Sequence, residues 1–312
     1  MGKLAFVFPG QGSQSVGMGK ELFETKGGKE VYTTGLKVLG KDFLRILETG
    51  PEEDLQLTSN TQPAILLVSI AAWCQLQAVG LEADYHAGHS LGEYSAHVAA
   101  GSLTLEEALR VVRRRGELMH VAVPNGKGSM AAILGLDSAK VEEACKRAQE
   151  SGQVGPANYN CPGQVVISGE TQAVAKAMEW SKELGAKRAI PLPVSGPFHS
   201  VLMRGVALEL QQVLEGVNWS IPRCPVLANI DAREVIDTQR TIETLVQQVS
   251  GAVLWEQSIR YLIDQGVDTF VECGPGKVLT GLIKKIAPEA SLLQVGDWVS
   301  LQKSLAYLKE SR

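Results

Sequence analysis

Cysteine is scarce in this chain and shows no pattern. Five stand among 312 residues, at positions 74, 145, 161, 224 and 273, an odd number with no Cys-x-x-Cys. A secreted disulfide framework is excluded, and reduced, mostly buried thiols in a cytoplasmic protein are expected. No charge of one sign dominates either. The net charge is −4, so no general attraction to nucleic acid or to a membrane surface is expected. Long apolar runs are missing. The most apolar stretch, 64–79, is interrupted by Gln75 and Gln77 and is too short and too polar to span a bilayer, so a buried core helix is expected there. The N-terminal run 4–8 is too short for a signal peptide. The loop Pro9-Gly10-Gln11-Gly12-Ser13-Gln14 has neither the dinucleotide-binding nor the P-loop spacing. Repeats and low-complexity linkers are absent as well.

What is present suits a globular protein with a sizeable core, for 45% of the residues are hydrophobic. The short apolar run 4–8 reads as a buried strand of a parallel sheet. Residues 17–57 read as several short helices broken at Gly27-Gly28, Gly40 and Gly50-Pro51. A long helix is expected over 62–81, with Pro63 in its first turn, and another over 103–123. From about Gly126 the rhythm becomes strand, helix, strand, strand, helix, strand up to residue 192, which is the order of a ferredoxin-like unit. After Pro193 longer elements resume, with helices at 199–214, 241–249, 253–265 and 276–286, strands at 225–229, 268–272 and 292–295, and a terminal helix at 300–308. The expected architecture is α/β: a hydrolase-like core of parallel sheet over 1–124 and 197–312, with a ferredoxin-like small domain inserted at 125–196.

The stretch richest in chemistry is 85–94, which holds Gly88-x-Ser90-x-Gly92. A strand, a sharp turn carrying Ser and then a helix make a nucleophile elbow. The helix that opens after Ser90 leaves free N–H groups and a positive dipole end beside the hydroxyl. Gly-x-Ser-x-Gly also arises by chance in loops, but here it stands between a strand and a helix. Of five histidines, His86 and His89 lie too near Ser90 along the chain to reach its side chain easily. His97 and His120 fall on helices. His199 follows a loop dense in Pro and Gly at the inferred domain crossing and is the best candidate for a base. No Asp or Glu stands in the register of an α/β-hydrolase triad. Arg115 shares a helical stripe with Ala108, Val111, Val112 and Met119, whereas Arg114 groups with Glu107, Arg110 and Glu117. A buried guanidinium needs a partner. Both an internal carboxylate and a substrate carboxylate remain open as that partner.

Six stretches together resemble the malonyl-CoA:acyl carrier protein transacylases, the acyltransferases of bacterial-type fatty acid synthesis. They are FVFPGQGSQ (6–14), GHSLGEYSA (88–96), RRGELM (114–119), ANYNCPGQVVISG (157–169), GPFHS (196–200) and ECGPGKVLTGL (272–282). The resemblance implies that Ser90 is acylated by malonyl-CoA and that His199 is its base. It implies an oxyanion hole from the backbone N–H groups of Gln11 and Leu91. It implies that Arg115 holds the malonyl carboxylate, that the backbone carbonyl of Gln248 orients His199 in place of a triad acid, and that Asn160 and Phe198 contact substrate. Phe198 beside His199 is similar to malonyl-selective relatives. Malonyl-CoA and phosphopantetheinylated acyl carrier protein are the implied substrates, with no cofactor and no metal, and a monomer is expected. A free-standing polyketide-type acyltransferase shares this chemistry. A serine thioesterase or esterase would need no Arg115, and a carrier-binding module would need no Ser–His pair. Acyl carrier proteins are acidic and this chain is net negative, so a local basic patch is expected at the docking face. Lys284 and Lys285, on the helix with Lys277, are the candidates.

Overall fold

The computed structural model describes residues 2–124, 126–194 and 196–311. The strands are β1 (Lys3–Phe8), β2 (Tyr85–Gly88), β3 (Gly128–Leu134), β4 (Val154–Cys161), β5 (Gln164–Glu170), β6 (Arg188–Pro191), β7 (Val226–Leu227), β8 (Glu234–Val235), β9 (Val267–Cys273) and β10 (Ser291–Val295). The first half of the chain carries helices α1 (Lys20–Phe23), α2 (Lys26–Thr49), α3 (Glu52–Gln56), α4 (Thr58–Gln77), α5 (Leu91–Ala99), α6 (Leu105–Val121) and α7 (Ser138–Ala148). The second half carries α8 (Thr171–Glu183), α9 (Arg204–Glu215), α10 (Thr238–Ser250), α11 (Trp255–Asp264), α12 (Val278–Ile286) and α13 (Trp298–Ser311).

Two sheets organise these elements. The larger has the order β10-β9-β1-β2-β7-β8 and is parallel except where β8 returns antiparallel to β7. β1 is central and its Leu4, Ala5, Phe6, Val7 and Phe8 are fully buried, which is why it reads as an unbroken apolar run. One face of the sheet packs on α4, α5 and α6, the other on α11 and α12. The smaller sheet is antiparallel, in the order β4-β5-β3-β6, and buries one face against α7 and α8. β4 is also bonded to the segment after α10: Tyr159 N donates to the Val253 carbonyl at 2.9 Å and Val253 N to the Ala157 carbonyl at 2.8 Å. Among the described residues no helix is long and apolar enough to cross a membrane. All five cysteines are free.

Several expected boundaries move. α2 runs through Gly27-Gly28 and is interrupted only at Gly40, where φ is 84°. Gly28 is there for packing: a Cβ on it would stand 1.8 Å from the Leu22 carbonyl oxygen. The long apolar helix begins at Thr58, four residues before the expected start, so Pro63 lies in its interior. Pro63 has no N–H for the Ser59 carbonyl, and the Arg113 guanidinium, from α6, donates to that carbonyl instead at 3.2 Å. His199 is not helical. It has φ 58° and is followed by a single 3-10 turn before α9. Of the strand expected at 225–229 only Val226–Leu227 forms, as β7, and its antiparallel partner β8 escapes notice in sequence because it offers only two residues.

Candidate active site

The site lies where β1 and β2 end. Ser90 follows β2 after one residue, at φ 51° and ψ −104°, a strained backbone for a residue with a side chain. The flanking glycines permit the turn. A Cβ on Gly88 would lie 1.9 Å from the Gly92 backbone, and one on Gly92 would lie 2.0 Å from the Phe8 carbonyl. The bend is pinned from β7's end by Asn229. Its Oδ1 accepts from Ser90 N at 2.6 Å, and its Nδ2 donates to the Gly88 carbonyl at 2.6 Å.

Ser90 Oγ meets His199 Nε2 at 2.7 Å. Nδ1 of the same ring faces two carbonyls, Gln248 at 2.8 Å and Gly251 at 3.2 Å. Carbonyls only accept, so Nδ1 carries the proton and Nε2 presents the lone pair to Ser90. Burial, and then the positive charge of Arg115, push the His199 pKa down to about 3. The imidazole is therefore neutral at ordinary pH, and among the described residues no carboxylate bonds to it.

Arg115 is 1% exposed. One terminal nitrogen donates to Gln62 Oε1 at 2.8 Å. The other donates to Gln248 Oε1 at 2.9 Å and Ser90 Oγ at 3.1 Å. Its planar group also lies over the Tyr94 ring, 5.5 Å from the centroid. Among the described residues no carboxylate lies within ion-pair distance of it. Of the two partners open in sequence, the internal carboxylate is thus not a direct one.

A cavity of about 110 Å³ opens on these groups, lined by Gln11, Leu91, Phe198, Arg115, Ser90 and His199, with Met119, Met130 and Leu192 on its apolar side. Leu91 opens α5, so its N–H is among those a helix leaves without an internal partner. Asn160 stands one step back. Its Oδ1 accepts from His89 Nε2 at 2.9 Å, and the asparagine of β4 that lines the cavity is Asn158. Lys284 and Lys285 are exposed and do not line the cavity. Lys284 Nζ donates to the Pro288 carbonyl at 2.7 Å, and Lys285 Nζ donates to Gln164 Oε1 on the small sheet at 3.3 Å. The other histidines are spoken for or outside: His86 is 3.4 Å from Cys224 Sγ, His97 bonds Ser102 Oγ at 2.9 Å, and His120 is exposed.

Sequence reasoning missed Asn229, Gln62, Asn158 and the side chain of Gln248. Nothing in their local pattern separates them from other buried amides. Glu93 also went unread: it stands in the first turn of α5, a helix buried on every side.

The acyl transferase domain family matches residues 5–301. A malonyl CoA-acyl carrier protein transacylase of Bacillus subtilis (strain 168) is 46% identical over 312 residues, covering 99% of this chain and 98% of that one. Among solved structures, an acyl carrier protein S-malonyltransferase from Vibrio cholerae O1 is 44% identical with a TM-score of 0.94, over 96% of this chain and 99% of that one. A malonyl-transacylase solved in complex with its type II PKS acyl-carrier protein is 42% identical with a TM-score of 0.95, over 98% and 99%.

Proposed function

The chain belongs to the acyl transferase domain family, and from that premise we propose how its residues divide the work of a malonyltransferase. It moves the malonyl group from malonyl-CoA to the phosphopantetheine thiol of acyl carrier protein, supplying fatty acid biosynthesis. One observation carries the reading: a buried arginine with only neutral hydrogen-bond partners stands 3.1 Å from a serine that is itself 2.7 Å from a neutral imidazole. An esterase would have no use for that buried cation.

The first half-reaction begins with Ser90 Oγ attacking the malonyl thioester while His199 Nε2 takes its proton. The tetrahedral oxyanion is held by the N–H groups of Gln11 and Leu91. CoA leaves as its thiol, with the proton returned by His199. In the second half-reaction the carrier's thiol gives its proton to His199 and attacks the ester, and Ser90 is restored. Arg115 receives the malonyl carboxylate on its fork. That contact has a second effect. After burial, the charge of Arg115 is the next cause that holds His199 at low basicity, and a bound carboxylate offsets that charge, so the base strengthens when the acyl group is malonyl. The two carbonyls on Nδ1 fix the tautomer and stabilise the imidazolium, though less than a triad carboxylate would. Asn160 acts through His89, and Phe198 walls the acyl pocket.

In this reading residues 1–124 and 197–312 form the large unit that carries Ser90, Arg115 and His199. Residues 125–196 form the ferredoxin-like unit that closes the cavity with Met130 and Asn158. The acidic carrier docks near Lys284 and Lys285, where α12 meets the small sheet. Replacing both lysines by Glu should slow transfer to the carrier at low salt, and less so at high salt. The decisive measurement for the function is intact mass after incubation with malonyl-CoA. A persistent malonyl adduct is expected, absent in Ser90→Ala. Rapid hydrolysis would mean a thioesterase, and no adduct would mean a binding module. Efficient acylation by methylmalonyl-CoA would contradict the role given to Phe198.

A further inference from the structure

Arg115 is a fully buried cation whose direct partners are all uncharged. A buried charge is costly unless another offsets it, so the carboxylates packed around it decide how it is tolerated. The one that bonds an Arg115 partner is Glu93, in the first turn of α5 and 0% exposed. It reaches Arg115 through Gln248, which is also 0% exposed. Glu93 Oε2 accepts from Gln248 Nε2 at 2.8 Å and from Asn229 N at 2.9 Å. The other end of the same amide, Oε1, accepts from Arg115 at 2.9 Å. Gln248 Nε2 donates also to the Ser90 carbonyl at 3.0 Å, and the Gln248 main-chain carbonyl holds His199 Nδ1.

An amide has two ends that differ only in whether they donate or accept. In the observed orientation every contact is complementary. Turned over, Nε2 would face the donors of Arg115, and Oε1 would face a carboxylate oxygen and a carbonyl. Burial raises Glu93 to about 7, and above that value its carboxylate is ionised and enforces the choice most strongly, because it can only accept. Direct pairing with Glu93 would offset the charge of Arg115 as well. It would also occupy the fork that an incoming carboxylate needs.

We propose that Glu93 is a positioning residue for acyl selectivity, acting through the side-chain amide of Gln248: it fixes the amide with its oxygen toward Arg115 and supplies a counter-charge one residue removed. The fork is thereby held in place and kept open for the substrate carboxylate. The inference rests on the malonyltransferase reading. It concerns the preference between acyl groups, whereas that reading stands or falls on the Ser90 adduct.

The test uses the full chain with malonyl-CoA and acetyl-CoA as donors and free pantetheine as acceptor. Glu93→Gln keeps the shape and removes the charge that enforces the amide's orientation. Gln248→Met removes the amide and keeps the main-chain carbonyl that holds His199. Each should lower kcat/KM for malonyl-CoA about tenfold or more, the worth of one hydrogen bond to a charged group, chiefly through a higher KM. In Glu93→Gln acetyl-CoA should change by less than about threefold; in Gln248→Met, whose residue also bonds the Ser90 carbonyl and holds His199, the readout is the malonyl-to-acetyl ratio, which should fall about tenfold. In the double variant the malonyl-to-acetyl ratio should fall no further than in the worse single one. An equal loss for both donors would make Glu93 merely structural. Independent, multiplying effects would remove Gln248 from the path. A lower malonyl KM in Glu93→Gln would show a competing charge instead, and each of these overturns the proposal. If Glu93→Gln fails to fold, an unchanged acyl ratio in Gln248→Met overturns it alone. Loss of the Ser90 adduct from the unmodified protein would instead sink the malonyltransferase reading.

Discussion

At the scale of single residues, the site rests on hydrogen bonds that cross long stretches of chain. Arg115→Ala removes the cation that a malonyl carboxylate would meet. Losing one partner of a desolvated charge pair costs about 2–5 kcal/mol. Malonyl transfer should therefore fall by about two orders of magnitude or more, while acetyl transfer holds or rises. Steady-state kinetics with both donors checks this, and an equal fall in both would make Arg115 structural. Asn229→Ala leaves Ser90 N and the Gly88 carbonyl without their partner, in a turn already at positive φ. Two orphaned backbone groups should cost about 2–4 kcal/mol of stability, and urea unfolding measures it. Ser90, His199 and Arg115 were legible in sequence because each breaks a pattern. Ser90 interrupts a glycine pair, His199 a loop of Pro and Gly, and Arg115 an apolar stripe. Asn229 and Gln62 break none. An amide that serves a residue more than a hundred positions away, or on another helix, is visible only once the chain is folded.

At the scale of elements, periodicity found the helices and misplaced their ends. α4 shows why. Its residues 60–72 are buried all round, so it has no apolar stripe to mark its first turn, and Pro63 looked like the start. Tertiary structure overrides that signal through Arg113, which serves the carbonyl the proline leaves unbonded. A cycle of substitutions should show it. Arg113→Ala should cost about 1 kcal/mol more in the parent than in a Pro63→Ala background, where the new N–H can bond the Ser59 carbonyl itself. Strictly additive losses in thermal or urea unfolding would show that the contact carries no energy. The central parallel strand was easier to place, because β1 is buried along residues 4–8 and so reads as an unbroken apolar run.

At the scale of the whole molecule, burial of ionisable groups sets the response to acid. His86, His97 and His199 are held at about 4, 3 and 3, and His89 is lowered too, each chiefly by burial. Between the unfolded value near 6.5 and those folded values the unfolded chain binds more protons, so the stability these histidines contribute is lost as pH falls. Glu93, raised to about 7, and Glu272, also raised, are both shifted chiefly by burial and act in the opposite sense, favouring the folded state at low pH. His86, His97 and His199, held furthest from the unfolded value, outnumber Glu93, so on balance unfolding near pH 5 takes up protons. The urea midpoint should therefore fall steadily from pH 7 to pH 5. A flat or rising midpoint would mean that these histidines are charged in the folded protein.

The parallel core and the change of rhythm near Gly126 were legible at this scale, since a run of short alternating elements differs from the long helices on either side. The link between β4 and the segment after α10 was not. It uses backbone groups of Ala157, Tyr159 and Val253, which carry no side-chain signature. Its place in the chain has a consequence for timing. Val253 lies two residues beyond Gly251, whose carbonyl shares His199 Nδ1 with that of Gln248. Any excursion that swings β4 away to admit water must pull on the segment that holds the imidazole. Such an excursion would disarm the dyad as it wets the ester, so the protein would be idle whenever it gapes and active only while shut.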